Sequence, residues 1–153
     1  MKRSLAGTAI AVALALATSP AFAHDDAYLD TQDAPHGGQL RMAGPWHYEL
    51  VTARGAEASG DGPFVVYVTD HAGTPVSTAG ASGTATILSG KTSSTAALTP
   101  DGENRMKGVS RSAHAPGAKV VVSITLAGKA PAQARFAPGP AAASMPMQTG
   151  RAH

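Results

Sequence analysis

The sequence contains no cysteine. That absence excludes a disulfide framework, thiolate zinc sites, iron–sulfur clusters and thiol catalysis together. Aromatic residues make up only 5% of the 153 residues, so any core has few large side chains to draw on. A thin core leaves no spare apolar surface for a deep cofactor pocket. Sustained helical periodicity is also missing, and 17 glycines and 11 prolines argue against a helical bundle. The motifs of common enzymes are absent too. Gly-x-Ser-x-Gly occurs nowhere, and the glycine-rich Gly80-Ala-Ser-Gly83 lacks the lysine and helix of a phosphate loop. No buried pair of carboxylates with split pKa values is evident, so the sequence points away from an enzyme.

The formal net charge of +2 needs correcting for the first 23 residues. Lys2 and Arg3, the apolar run Leu5–Ala17 and the small-x-small Ala21-Phe22-Ala23 together read as a cleaved secretory signal. The run is too short, and too soon followed by Ser19-Pro20, for a membrane span. Cleavage removes two of the twelve basic residues and none of the ten acidic ones, leaving a neutral chain. Basic residues are scattered without interleaved aromatics, so no nucleic-acid surface is expected. Charge is nonetheless uneven. Residues 24–70 hold eight acids against Arg41 and Arg54, whereas residues 71–153 hold two acids against eight bases. The expected compartment is the periplasm.

After the leader, residues 24–35 read as a flexible acidic arm, 36–137 as one β-domain, and 138–153 as a disordered Ala/Pro/Met tail. Strands are expected at Gln39–Ala43, Trp46–Ala53, Pro63–Thr69, Thr84–Leu88, Thr92–Leu98, Arg105–Val109, Lys119–Leu126 and Gln133–Phe136. Turn chemistry separates them: Gly44-Pro45, His71-Ala-Gly73-Thr-Pro75, Ser89-Gly90, Pro100-Asp101-Gly102 and Ala127-Gly128-Lys129. Seven or eight short strands with this turn spacing describe an all-β, immunoglobulin-like antiparallel β-sandwich. Its large core candidates are Trp46, Tyr48, Leu50, Phe64, Tyr67, Leu88, Ile124, Leu126 and Phe136.

Six histidines and no cysteine make imidazole the expected ligand for a metal. Cleavage after Ala23 makes His24 the mature terminus, where its α-amine and ring together chelate tetragonal Cu(II). Asp25 adds an oxygen donor beside it. His36 opens His-Gly-Gly-Gln at the first strand. Alternation along the second strand puts His47 and Glu49 on one face and Trp46, Tyr48 and Leu50 on the other. The bulky face is assigned to the core, which leaves His47 and Glu49 outward and available. Asp70 and His71 follow the strongest strand. Met145 and Met147 form a Met-x-Met pair in the tail, soft enough to hold Cu(I). His114 has no evident partner.

The stretch Ala34-Pro-His-Gly-Gly-Gln-Leu40, then Trp46-His-Tyr-Glu-Leu-Val51, then Phe64–Val76 with its Asp-x-x-Gly-x-Pro ending, resembles a known domain. It is similar to the small β-domain at the front of periplasmic adaptor subunits of heavy-metal efflux pumps of the resistance–nodulation–division type. It looks still more like small exported proteins of Gram-negative bacteria that carry this pattern alone. The resemblance covers Ala34–Val76; Thr84–Leu126 shares the strand rhythm. It carries no hairpin, lipoyl or barrel region, so it implies a metal-handling context rather than the pump-linking subunit. A looser similarity is to copper-resistance carriers of type C, exported sandwiches with a mature N-terminal histidine.

The expected function is therefore a periplasmic metal-binding accessory protein in metal resistance or homeostasis, with copper, as Cu(II), the first choice and another divalent heavy metal the other. Its ligands would come from His24, His36, His47, His71, Asp70 and Asp25. Its partner would be a heavy-metal efflux component or another envelope protein. The alternative is a non-catalytic interaction module whose histidines are incidental.

Overall fold

The computed structural model describes residues 26–52 and 61–138. The leader, His24, Asp25, Met145 and Met147 lie outside the described residues. Among those described, no helix is long and apolar enough to cross a membrane.

Eight strands form where alternation and turn chemistry predict them: β1 Gln39–Ala43, β2 Trp46–Val51, β3 Pro63–Thr69, β4 Ser82–Ser89, β5 Thr92–Pro100, β6 Arg105–Val109, β7 Lys119–Thr125 and β8 Ala132–Phe136. All pairings are antiparallel, in the order β1-β2-β3-β6-β5-β4-β7-β8. Within that ladder β4, β5 and β6 are consecutive, and β7 returns to lie beside β4, which is a Greek key. β5 joins the two layers of the sandwich. Its residues Thr92–Leu98 pair with β4, and only Thr99 and Pro100 pair with β6. The ends of the ladder then approach each other, with β1 packed against β8 and the Ala137 N–H donating to Gln39 Oε1 at 3.0 Å. The sandwich is close to a closed barrel, which leaves little open strand edge.

The core lies between the layers and follows strand parity. Tyr48 and Leu50 come from β2, Phe64, Val66 and Val68 from β3, Ile87 from β4, Leu98 from β5 and Met106 from β6. Val120, Val122 and Ile124 of β7 and Phe136 of β8 complete it. Each such burial stabilises by roughly 1.5–3 kcal/mol. Gly108 belongs to this packing. A Cβ there would meet the Phe64 ring at 2.5 Å, so the missing side chain is what lets Phe64 fill the centre. Tyr48 is fully buried and donates its hydroxyl to the Ala132 carbonyl at 3.4 Å, while burial pushes its ionisation well above the ordinary tyrosine range.

Two of the expected core residues lie elsewhere. Tyr67 faces outward opposite Glu49, and Leu88 is 44% exposed opposite Lys119. Size suggested both, but each sits one step out of phase with its buried neighbours, and parity decides.

The described part of the acidic arm is also structured. Asp26–Leu29 forms a single helical turn, α1, that buries Leu29. Arg41, at an inward position of β1, ties α1 down. Its Nη1 lies 2.7 Å from Asp30 Oδ1 and its Nε 3.9 Å from Asp26 Oδ2. A short polar segment shows no periodicity in sequence, so a lone anchor such as Leu29 carries no pattern to read.

Candidate functional site: the histidine face of β2 and β3

Antiparallel register places paired residues on the same face, so the outward side of the first layer can be read row by row. Met42 of β1, His47 of β2 and Thr69 of β3 form one row. Leu40, Glu49, Tyr67 and Arg105 form the next. Three ring-bearing or acidic residues of interest, His47, Glu49 and Tyr67, thus occupy neighbouring positions, with successive rows about 7 Å apart.

Glu49 corrects the sequence reading. It does lie on the face opposite Tyr48 and Leu50, but it is only 3% exposed rather than available. The loop before β1 folds over it. The His36 N–H donates to Glu49 Oε1 at 2.8 Å and the Gly38 N–H to the same oxygen at 3.0 Å. His36 Nδ1 lies 2.8 Å from Oε2. Alternation fixes the side on which a residue projects and says nothing of what covers that side.

The two glycines of Pro-His-Gly-Gly make this cap possible. Gly37 adopts φ +70°, where a side chain is strained, and its N–H donates to the Ala34 carbonyl at 2.9 Å. Gly38 passes so close to β2 that a Cβ would run into the Leu50 carbonyl. The cap leaves the His36 ring stacked flat on Tyr67, with centroids 3.6 Å apart. Because a carboxylate only accepts, the Glu49 contact places a proton on His36 Nδ1, and in the neutral ring the lone pair is then on Nε2. A histidine oriented this way by a carboxylate is the arrangement that supports metal ligation through the other nitrogen.

His47 and His71 come together. The turn after β3 swings His71 back so that the two rings stack with centroids 4.9 Å apart and planes 18° apart. Asp70 shapes that turn. Its Oδ1 accepts the Thr74 N–H at 2.8 Å and the Ala72 N–H at 2.9 Å. These backbone bonds, that from Thr74 foremost, hold its carboxyl below the usual carboxylate range. Asp70 therefore serves the turn through Oδ1, whereas the sequence reading offered it as an oxygen ligand. Thr69 and Pro75 close the turn's base with an isolated bridge.

The structure thus brings His47 to His71 and His36 to Glu49. Among the described residues no three histidine, aspartate or glutamate side chains form a group able to hold a metal ion. Met42 was missed by the sequence reading. It stands directly across from His47 in the β1–β2 ladder, where paired Cβ atoms lie roughly 4.5–5.5 Å apart. Its signal was available once Gly44-Pro45 fixed a two-residue link, because that link dictates the register. Tyr67 was placed in the core and instead supports His36. Arg105, the next residue across the row, is kept charged first by Tyr67 and then by Asp101, whose Oδ2 is 3.1 Å from Arg105 Nη2. His114 lies apart from this face, its Nε2 3.1 Å from the Gly62 carbonyl oxygen.

No protein-family model, no curated protein and no solved structure matches the chain.

Proposed function

We propose that this protein is an exported, periplasmic metal-binding accessory protein that holds copper on the outward face of β2 and β3 and passes it to a heavy-metal efflux component or another envelope protein. The observation that carries the reading is the His47–His71 pair, two imidazoles 4.9 Å apart with the Met42 thioether across the ladder from His47. Imidazole suits copper among several transition metals, and the soft thioether beside it favours Cu(I) over harder divalent ions.

One ion between His47 and His71 needs their rings to turn from face-to-face to edge-on. Rotation about the ring torsion is broad and inexpensive for histidine. His36, with Nδ1 committed to Glu49 and Nε2 carrying the lone pair, supplies a further oriented donor on the same face. The set is incomplete by itself, which suits a carrier that must release its cargo. His24 and Asp25 of the mature terminus, and Met145 and Met147, remain additional donors for the same role. The Pro-His-Gly-Gly resemblance supports the efflux context.

The test is competition between the full, correctly processed chain and a Cu(I) chelating dye. His47→Ala and His71→Ala are each expected to weaken Cu(I) affinity by about 100-fold, and Met42→Leu by about tenfold. Because backbone groups and Asp70 hold the turn, His71→Ala should change folding stability by less than about 0.5 kcal/mol. Unchanged copper affinity in the His47→Ala/His71→Ala double variant would overturn the proposal. A form extended by one residue ahead of His24 separates the contribution of the terminus.

A further inference from the structure

A second feature lies on the other layer, away from the histidines. An open groove of about 480 Å³ runs across the ends of β4, β7 and β8. Its volume falls within the roughly 300–1,000 Å³ of small-ligand sites. Leu88 and Val121 contribute apolar surface, the edge of the buried Phe136 lies at its floor, and Lys119, Arg135 and Arg41 contribute cations. Leu88 is paired with Lys119 across β4 and β7, and Val121 with Arg135 across β7 and β8. Two adjacent rows therefore each carry an apolar side chain beside a cationic one.

The charges are not equivalent. Arg41 is engaged by Asp26 of α1 and by Asp30 just after it. Lys119 and Arg135 have no acidic partner within 4.0 Å among the described residues. The groove consequently presents two uncompensated positive charges next to apolar surface. A bare inorganic anion would leave the apolar lining wet, and a neutral amphiphile would leave both cations without a partner. We infer that the groove binds a single-chain amphiphilic anion, specifically an alkyl carboxylate, with its chain along Leu88 and Val121 and its carboxylate between Lys119 and Arg135. This inference is independent of the metal site.

The test uses dodecanoate, kept below its micelle concentration, titrated into the full chain by calorimetry and amide NMR. Saturable one-to-one binding is expected, with the largest shifts at Leu88, Val121 and Phe136. Lys119→Gln and Arg135→Gln are each expected to weaken binding by roughly fivefold, as for exposed ion pairs, and Leu88→Asp to abolish it. Lys119 and Arg135 are exposed, so both variants keep the fold, which thermal melting checks. The inference is overturned by non-saturable binding, by equal affinity for neutral dodecyl maltoside, or by wild-type affinity in the double-charge variant. Displacement of dodecanoate by inorganic phosphate alone, or contacts from residues 139–153 to Leu88 in the ligand-free chain, would overturn it as well.

Discussion

Glu49 is the residue whose removal tests the architecture of the histidine face most directly. Its side chain is 4% exposed and accepts from two backbone N–H groups and one imidazole. In Glu49→Ala the His36 and Gly38 N–H groups lose their acceptor, and each unsatisfied group costs about 1–3 kcal/mol if it stays buried. Loss of the charge-assisted contact to His36 adds to this, while outward movement of the loop recovers part through water. The expected destabilisation is about 3–5 kcal/mol, a large fraction of the roughly 5–15 kcal/mol typical of a domain. At about 4–8 °C per kcal/mol the midpoint should fall by roughly 15 °C or more. Glu49→Gln has a different signature. Its carbonyl oxygen can still accept both backbone N–H groups, but its amide now donates toward His36 Nδ1. The cost should be about 1–2 kcal/mol, and His36 must move its proton to Nε2. Urea unfolding followed through Trp46, the single tryptophan, measures the stabilities, and long-range nitrogen–proton NMR reads the tautomer. A Glu49→Ala cost below about 1 kcal/mol, or an Nδ1 proton retained in Glu49→Gln, would refute the reasoning.

Two further outcomes follow from local geometry. Gly38→Ala should destabilise by several kcal/mol because its Cβ has only the Leu50 carbonyl to occupy, whereas Gly37→Ala meets open space and should cost about 1–2 kcal/mol for its φ alone. Equal effects in urea unfolding would contradict the close approach at Gly38. Asp70 has a folded pKa below its ordinary value of 3.8, so its stabilisation is present above that value and is lost as pH falls through the depressed one. Asp70→Asn keeps the accepting oxygen and should flatten the stability profile below about pH 4; an unchanged acid limb in thermal melts across pH 2–5 would exclude the assignment.

The strand plan was legible because it rests on local rules. β1, β3 and β6 begin and end where alternation and turn residues place them, and β4 is extended by three residues and β5 by two. β2 closes at Val51, and Ala53 lies outside the described residues. What could not be read depends on contacts distant in sequence. The near-closure of β1 on β8 joins Gln39 to Ala137, and nothing in either segment announces the other. Arg41 falls on an inward position, where parity predicts an apolar residue, because Asp26 of α1 and Asp30 just after it meet its charge. The site shows the same division. His47 and Glu49 were assigned one face correctly, but the cap over Glu49 and the arrival of His71 against His47 required the loops to fold.

Separating the demands of the fold from those of a ligand sharpens the meaning of the motif that spans Ala34–Val76. Gly37 and Gly38 are explained by the cap, Glu49 by the three groups it accepts, and Asp70 by the turn it holds. Pro75 stands in the bridge to Thr69 that closes the same turn. Each has a backbone reason to be present whether or not a metal ever binds. His36 is intermediate, since Nδ1 serves Glu49 and the ring packs on Tyr67. His47 and His71 are different. A strand position opposite Thr69 accepts any β-former, and the Asp70 turn is held by Asp70 itself together with the Ala72, Gly73 and Thr74 backbone. The proposed copper reading rests on the meeting of His47 and His71 with Met42 across the ladder, and that set is where a search for bound copper should begin.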